Sequence, residues 1–271
     1  MESIRRVSYV AVMRQRDISP RRADPNDELF DPLRAAALHE REGNRDEAFW
    51  LTFLFVHFGK HATAGWRYVR EVYGRLGDST HWTWPRVSAD PEGFRTWLRA
   101  HKAQIMREGI PRGFGNHRKY QSLDADSSTG TGAAVKTYVD WVAPPRTHEE
   151  LFNEELDKVD GNPFEAFDRL YRSMSSVTSF GRTARFDYLT MVSKLGLAEV
   201  EPGSTYLLNA TGPAKGARLL FLGASTAQAP IRLLEQWSIE LANYLSVGMQ
   251  VMEDAMCNWQ KSPTVFKPFR G

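Results

Sequence analysis

Apolar residues recur along most of this chain at spacings of three and four, the period of a helix with one buried face. The run 49–58 (FWLTFLFVHF) is almost wholly apolar and predicts a helix buried on all sides, with Asn44 and Glu47 as a capping box ahead of it. Asp90 followed by Pro91 predicts another helix start, leading into Phe94, Trp97 and Leu98. Thr147 with Glu150, and Asn162–Pro163 with Glu165, repeat the signature. The longest amphipathic stretch runs over 231–259, as one helix or two. Strand-like alternation is confined to 205–208. Glycine-containing breaks fall at 109–115, 179–181 and 211–216, and 124–132 (DADSSTGTG) reads as a loop. The expectation is a mostly α fold, in two lobes that meet near 110–145. The first thirty residues, basic and then rich in Pro and Asp, read as a flexible arm, and 31–271 as a single helical domain.

Charge adds detail rather than direction. The net charge is only +2, so nucleic-acid binding does not follow from the total. Lys102, Arg107, Arg112, Arg118 and Lys119 stand against Glu108 alone, whereas acids dominate 146–172. One basic and one acidic face are compatible with gripping a phosphate backbone, and equally with two solvated surfaces. Cys257 is the sole cysteine, which excludes an internal disulfide and a thiolate metal cluster. Neither a signal peptide nor a membrane span is legible, so the cytoplasm is the expected location.

Four groups of residues bear chemistry. Residues 112–120 combine glycines with Arg112, Asn116, His117, Arg118, Lys119 and Tyr120 in one turn. Its amides and cations suit a phosphate, Asn116 and His117 suit a base edge, and Tyr120 suits stacking. Residues 177–189 read as a helix, a turn at Phe180–Gly181 and a second helix, with Arg182 and Arg185 beside the turn. A phosphate-binding hairpin and a plain helical corner explain this pattern about equally well. The turn 209–217 (NATGPAKGA) resembles a phosphate cradle through Thr211, Gly212, Lys215 and Gly216, but lacks the spacing of a triphosphate loop. His57 and His61 stand four apart, without an accompanying glutamate or a third ligand, so no metal is expected. No cofactor motif is legible.

The runs 114–123 (FGNHRKYQSL), 179–189 (SFGRTARFDYL), 211–217 (TGPAKGA) and 255–261 (AMCNWQK), in this order, resemble the α-glutamyl/putrescinyl thymine pyrophosphorylase family, specifically its third clade. The likeness extends from about 49 to 261. It implies a helical fold related to helix-hairpin-helix DNA glycosylases, with Phe180, Gly181 and Arg182 as the hairpin, residues 211–216 as a glycine turn near the active site, and modified phage DNA as the partner. Some members attach amino acids or polyamines to phage thymines. The third clade resembles antiphage glycosylases that excise glucosylated hydroxymethylcytosine. This chain has Tyr206 and Asn209 where related members carry an acid, and Asn258 where they carry glutamate, which weighs against transferase chemistry.

Cleaving an N-glycosidic bond develops positive charge on the sugar, so the reaction calls for a nearby carboxylate. Asp187, on the helix after the hairpin, is the expected carboxylate, and pairing with Arg182 or Arg185 is its competing role. Asn209 is expected to position water and His117 to protonate the leaving base. Lys119 offers an alternative, as a Schiff-base former. Three classes of function remain at this level: a glycosylase, a transferase acting on an activated pyrimidine, and a non-catalytic reader of modified DNA.

Overall fold

A computed structural model of the protein describes residues 1–266, and its regular structure is helical throughout. The helices are α1 (Glu2–Arg14), α2 (Pro32–Arg41), α3 (Arg45–Phe58), α4 (Arg67–Tyr73), α5 (Trp84–Ala89), α6 (Pro91–Ile105) and α7 (Thr131–Val142). They continue as α8 (His148–Asp157), α9 (Pro163–Ser173), α10 (Arg182–Lys194), α11 (Gly212–Leu222), α12 (Ile231–Tyr244) and α13 (Met249–Trp259). The long amphipathic stretch is thus two helices, broken where Ser246 turns left-handed. No strand forms among the described residues, only an isolated bridge between His61 and Gly65. The expected strand at 205–208 is a loop, because the left-handed backbone of Tyr206 (φ 49°) cannot continue an extended ladder. None of the described helices is long and apolar enough to cross a membrane.

Most of the helix starts follow their sequence signals. Asp90 accepts from the Gly93 amide, Asn162 from the Phe164 and Glu165 amides, and Thr147 and Glu150 cap each other reciprocally. Asn44 is the exception, since its side chain makes no cap bond. Glu47 turns inward instead, taking the Tyr73 hydroxyl at 2.7 Å and the Trp84 amide at 2.7 Å. A buried amide and a buried phenol need an acceptor more than an exposed helix end does.

The first half of the expected N-terminal arm is the helix α1. Val10 and Met13 are buried, Arg6 makes a two-pronged ion pair with Asp254, and Arg14 pairs with Glu40. Arg6 and Arg14 therefore have acid partners that lie far away in sequence, invisible to a local reading, while Arg5 pairs locally with Glu2. The last five residues of the expected 31–271 domain lie outside the described residues.

Two hydrophobic clusters fill the interior. The larger runs from Val10 to Val200, and at its centre the rings of Trp50, Phe53 and Tyr138 stack at 4.0–6.0 Å. The smaller comprises Leu207, Ala217, Leu234, Ala242, Met249, Met252 and Met256 beneath α11–α13. The division falls between 200 and 207, not near 110–145, because α7 sends Val135, Tyr138, Val139 and Val142 into the larger cluster. A polar chain threads that cluster: Asp46 Oδ1 to His148 Nδ1 (2.6 Å), His148 Nε2 to the Tyr138 hydroxyl (2.8 Å), and Tyr138 to the Tyr188 hydroxyl (2.8 Å). Burial holds His148 below its ordinary pKa, so the neutral ring donates from Nδ1 and accepts at Nε2.

Candidate active site

The smaller cluster meets the larger one where α13 runs along α10. Asp187, Thr190 and Lys194 fall at i, i+3 and i+7 on α10 and so share a face. Gln250 of α13 donates to Thr190 Oγ1 at 3.0 Å, and Glu253 of α13 receives Arg182 of α10 at 2.5 Å. Arg182 also donates to the carbonyls of Thr205 and Tyr206 at 2.5 and 2.8 Å. One guanidinium thus joins α10, the 205–206 loop and α13.

From the other side the 112–120 turn closes on the same helix. Helix α3 ends at Phe58 because Gly59 takes φ 64°, and the Phe58 carbonyl receives the Gly115 amide at 2.8 Å. A side chain at Gly115 would meet the Gly59–Lys60 backbone at 2.9 Å, so this approach requires glycine. Residues 116–118 then make a single tight turn that drives Arg118 inward. It donates to the Val56 carbonyl at 2.7 Å and to Asp187 Oδ2 at 3.3 Å.

Asp187 is half-exposed beside the buried Arg118. Its side chain keeps 43% of its surface accessible, while Arg118 beneath it keeps 9%. Burial is nonetheless the largest influence on its ionisation and pushes its pKa up, opposed by the charges of Arg118, Arg182, His117 and Lys194. Water reaches the oxygens while protein on most sides thins the solvent around them. Lys194, half-buried two turns along, is held down to about 8, chiefly by burial and against the pull of Asp187 and Asp254. A recessed carboxylate with a raised pKa beside a depressed amine is a pattern of chemistry-bearing sites rather than of solvated surface.

The expected site residues separate into two sets. Arg112, Asn116, His117, Lys119 and Tyr120 are exposed on the turn beside Asp187, with the Lys119 ammonium 4.9 Å from the Tyr120 ring centre. Gly181 is exposed at the start of α10, and Asn209, Thr211 and Lys215 are exposed beyond the 205–206 loop. No hydrogen bond links Asn209 to Asp187. The other set faces inward. Arg118 positions Asp187 rather than DNA, and Arg182 is a clamp. Phe180 is core, stacked on Phe53 at 4.9 Å. Arg185 is half-buried over the Tyr171 ring at 4.3 Å and donates to its carbonyl. Gly212 and Gly216 are close-packing positions: a side chain would strike Cys257 Sγ at the first and the Met256 carbonyl at the second. That turn is where α11 meets α13, with Thr211 and Lys215 facing solvent.

His57 and His61 do not share a face, because the helix stops between them. His57 is buried against Phe53 and bonds Thr131 Oγ1 at 3.0 Å, and burial drives its pKa down to about 3. His61 Nδ1 accepts from the Thr63 and Ala64 amides. Among the described residues no group of three or more His, Cys, Asp or Glu is placed to hold a metal ion. A separate apolar cavity of about 700 Å3, lined by Ile4, Leu220, Leu241, Met252 and Trp259, lies on the opposite face of α13 from Glu253. The sequence reading did not single out Lys194, Gln250 and Glu253 around Asp187, nor Lys60, exposed where its backbone abuts Gly115. Only Lys194 had a usable signal, its i+7 spacing from Asp187.

An all-helical chain whose recessed carboxylate is flanked by an exposed basic, aromatic turn has the makings of an enzyme acting on a large anionic substrate. The chain belongs to the alpha-glutamyl/putrescinyl thymine pyrophosphorylase clade 3 family, whose model matches residues 1–271. The family name points to enzymes of thymine modification. No curated protein and no solved structure matches.

Proposed function

We propose that this protein is a DNA N-glycosylase that flips a hypermodified base, glucosylated hydroxymethylcytosine first among candidates, out of phage DNA and hydrolyses its bond to the sugar. The observation that carries the reading is Asp187: a carboxylate accessible from one side, held by Arg118 and raised in pKa by its surroundings. A base of this kind is suited to abstract a proton from water, and its charge stabilises the cationic sugar as the bond breaks. His117, whose charge is felt at Asp187, is the residue assigned to protonate the departing base. Tyr120, 89% exposed, offers a stacking surface, and Asn116 a donor and acceptor pair for a base edge. Lys60, Arg112, Lys119 and the open amides at the start of α10 would take phosphates. Unmodified DNA is spared if the pocket hydrogen-bonds the modification, since a bare base leaves those groups unpaired. This activity suits defence against phage.

The family name supports a second reading, transfer of an amine onto an activated thymine. One experiment separates the two. The protein is incubated with glucosylated, hydroxymethylated and plain DNA, without amine donor or nucleoside triphosphate, and both fractions are analysed by mass spectrometry. Free modified base and abasic sites are expected. An amine adduct on intact DNA, formed only when a donor is added, hands the case to transfer. Binding with no chemical change makes the protein a reader.

A further inference from the structure

Lys119, the amine that the sequence offered for Schiff-base chemistry, is exposed and lies over the Tyr120 ring. A better-placed amine stands two turns along α10 from Asp187. Lys194 shares a face of α10 with Asp187, and helical side chains lean toward the N-terminus, so its four-carbon arm reaches back toward that carboxylate. It is half-buried, and its ammonium makes no hydrogen bond or ion pair closer than 4 Å with the described residues, although Asp187 and Asp254 are near enough to be felt. The neighbouring arginines are engaged: Arg118 with Asp187, Arg182 with Glu253, Arg6 with Asp254, and Arg14 with Glu40 and the Lys194 carbonyl. A desolvated amine left unpaired beside a carboxylate is arranged as a nucleophile rather than as a structural cation.

We infer that Lys194 is the nucleophile of a combined glycosylase and strand-cleaving activity, attacking C1′ of the flipped nucleotide's deoxyribose. This inference rests on the glycosylase reading for its substrate. The Nζ–C1′ bond forms as the C1′–base bond breaks, and the base leaves with the bonding pair and takes up a proton from His117. Asp187 accepts the proton lost by the new secondary ammonium. The sugar ring then opens to an iminium, O4′ taking a proton. Loss of a C2′ proton and cleavage of the C3′–O bond release the 3′ phosphate, and water hydrolyses the imine to restore the amine. No oxidant or reductant is needed. Burial also leaves about a tenth of this amine neutral at pH 7, since its pKa is about 8.

An abasic site tests the lysine independently of base release. The full-length protein is mixed with a duplex oligonucleotide carrying one abasic site, with and without sodium cyanoborohydride, and the products are resolved by intact mass and peptide mapping. The expected result is one DNA adduct per chain on Lys194, strand cleavage without reductant, and loss of both in Lys194→Arg and Lys194→Gln but not in Lys158→Arg, an exposed lysine paired with Glu155 away from this site. No adduct, or an adduct mapped to another amine, overturns the inference. On modified DNA, base release should fall at least tenfold in Lys194→Arg. Undiminished release there overturns Lys194 while leaving the glycosylase intact. An adduct on Lys194 from abasic DNA, with no base released from modified DNA, supports the lysine and removes the glycosylase.

Discussion

Arg118 and Arg182 both stand beside glycines in turns that read as nucleic-acid contacts, and both point inward. Their neighbours in sequence could not reveal this, because the groups that claim them, the Val56 carbonyl, Asp187 and Glu253, arrive from distant segments. The sequence proposed Asp187 from its position after the turn, and Arg118, read there as a phosphate ligand, is buried against that carboxylate. Asp187→Asn is expected to lower base release by roughly 10²–10⁴, the usual worth of a general base, with DNA affinity nearly unchanged. Single-turnover release and equilibrium binding on the same substrate check this, and equal losses in both would make Asp187 a binding residue. Glu47 sets a pH dependence of stability. Burial outweighs the bonds from Trp84 and Tyr73 and raises its pKa from 4.5 to about 7. The native state therefore binds the proton more tightly than the unfolded chain. This contribution is complete below about pH 4.5 and is lost as pH rises through 7, by ~3 kcal/mol. Glu47→Gln, which presents a neutral amide permanently, should flatten that part of the profile, as read from urea unfolding between pH 4.5 and 8. Matching slopes in the two proteins would exclude this role.

Helices were the most legible level. The caps at Asp90, Thr147 and Asn162 stand where the sequence put them, because a cap is a contract among four consecutive residues. What a helix faces is a different matter. Gly212 and Gly216 read as a phosphate turn but let α11 lie against Cys257 and Met256. Gly216→Ala should cost about 1–3 kcal/mol by overpacking, and Gly181→Ala, where a side chain enters open space, almost nothing. Thermal unfolding of the pair checks this, and similar midpoints would mean that α11 and α13 part without penalty. Phosphate contact is expected from the turns that abut at Gly59 and Gly115. Lys60→Glu with Lys119→Glu should weaken binding to any DNA sequence and reduce the salt slope by about two. An unchanged slope would locate the DNA elsewhere.

At the scale of the molecule, α13 belongs to the smaller cluster yet supplies Gln250, Glu253 and Asp254 to the site on α10. The site therefore exists only while the two clusters stay together, and Arg182 holds them. Removing one partner from so buried a pair leaves a charge uncompensated, so Arg182→Met should loosen α11–α13 by about 3–5 kcal/mol, visible as faster hydrogen exchange confined to those helices. Exchange accelerating equally everywhere would mean that the clusters open only with the whole fold. The glycine contact at this junction also equips the protein with a clock. Cys257, the chain's one thiol, rests on Gly212, where burial raises its pKa and keeps the reactive thiolate scarce. Its alkylation should be slow in the native protein, faster in Arg182→Met, and slower again when DNA bridges the cleft. The rate at which a single sulfur is labelled would then time how often the enzyme comes apart across its own active site.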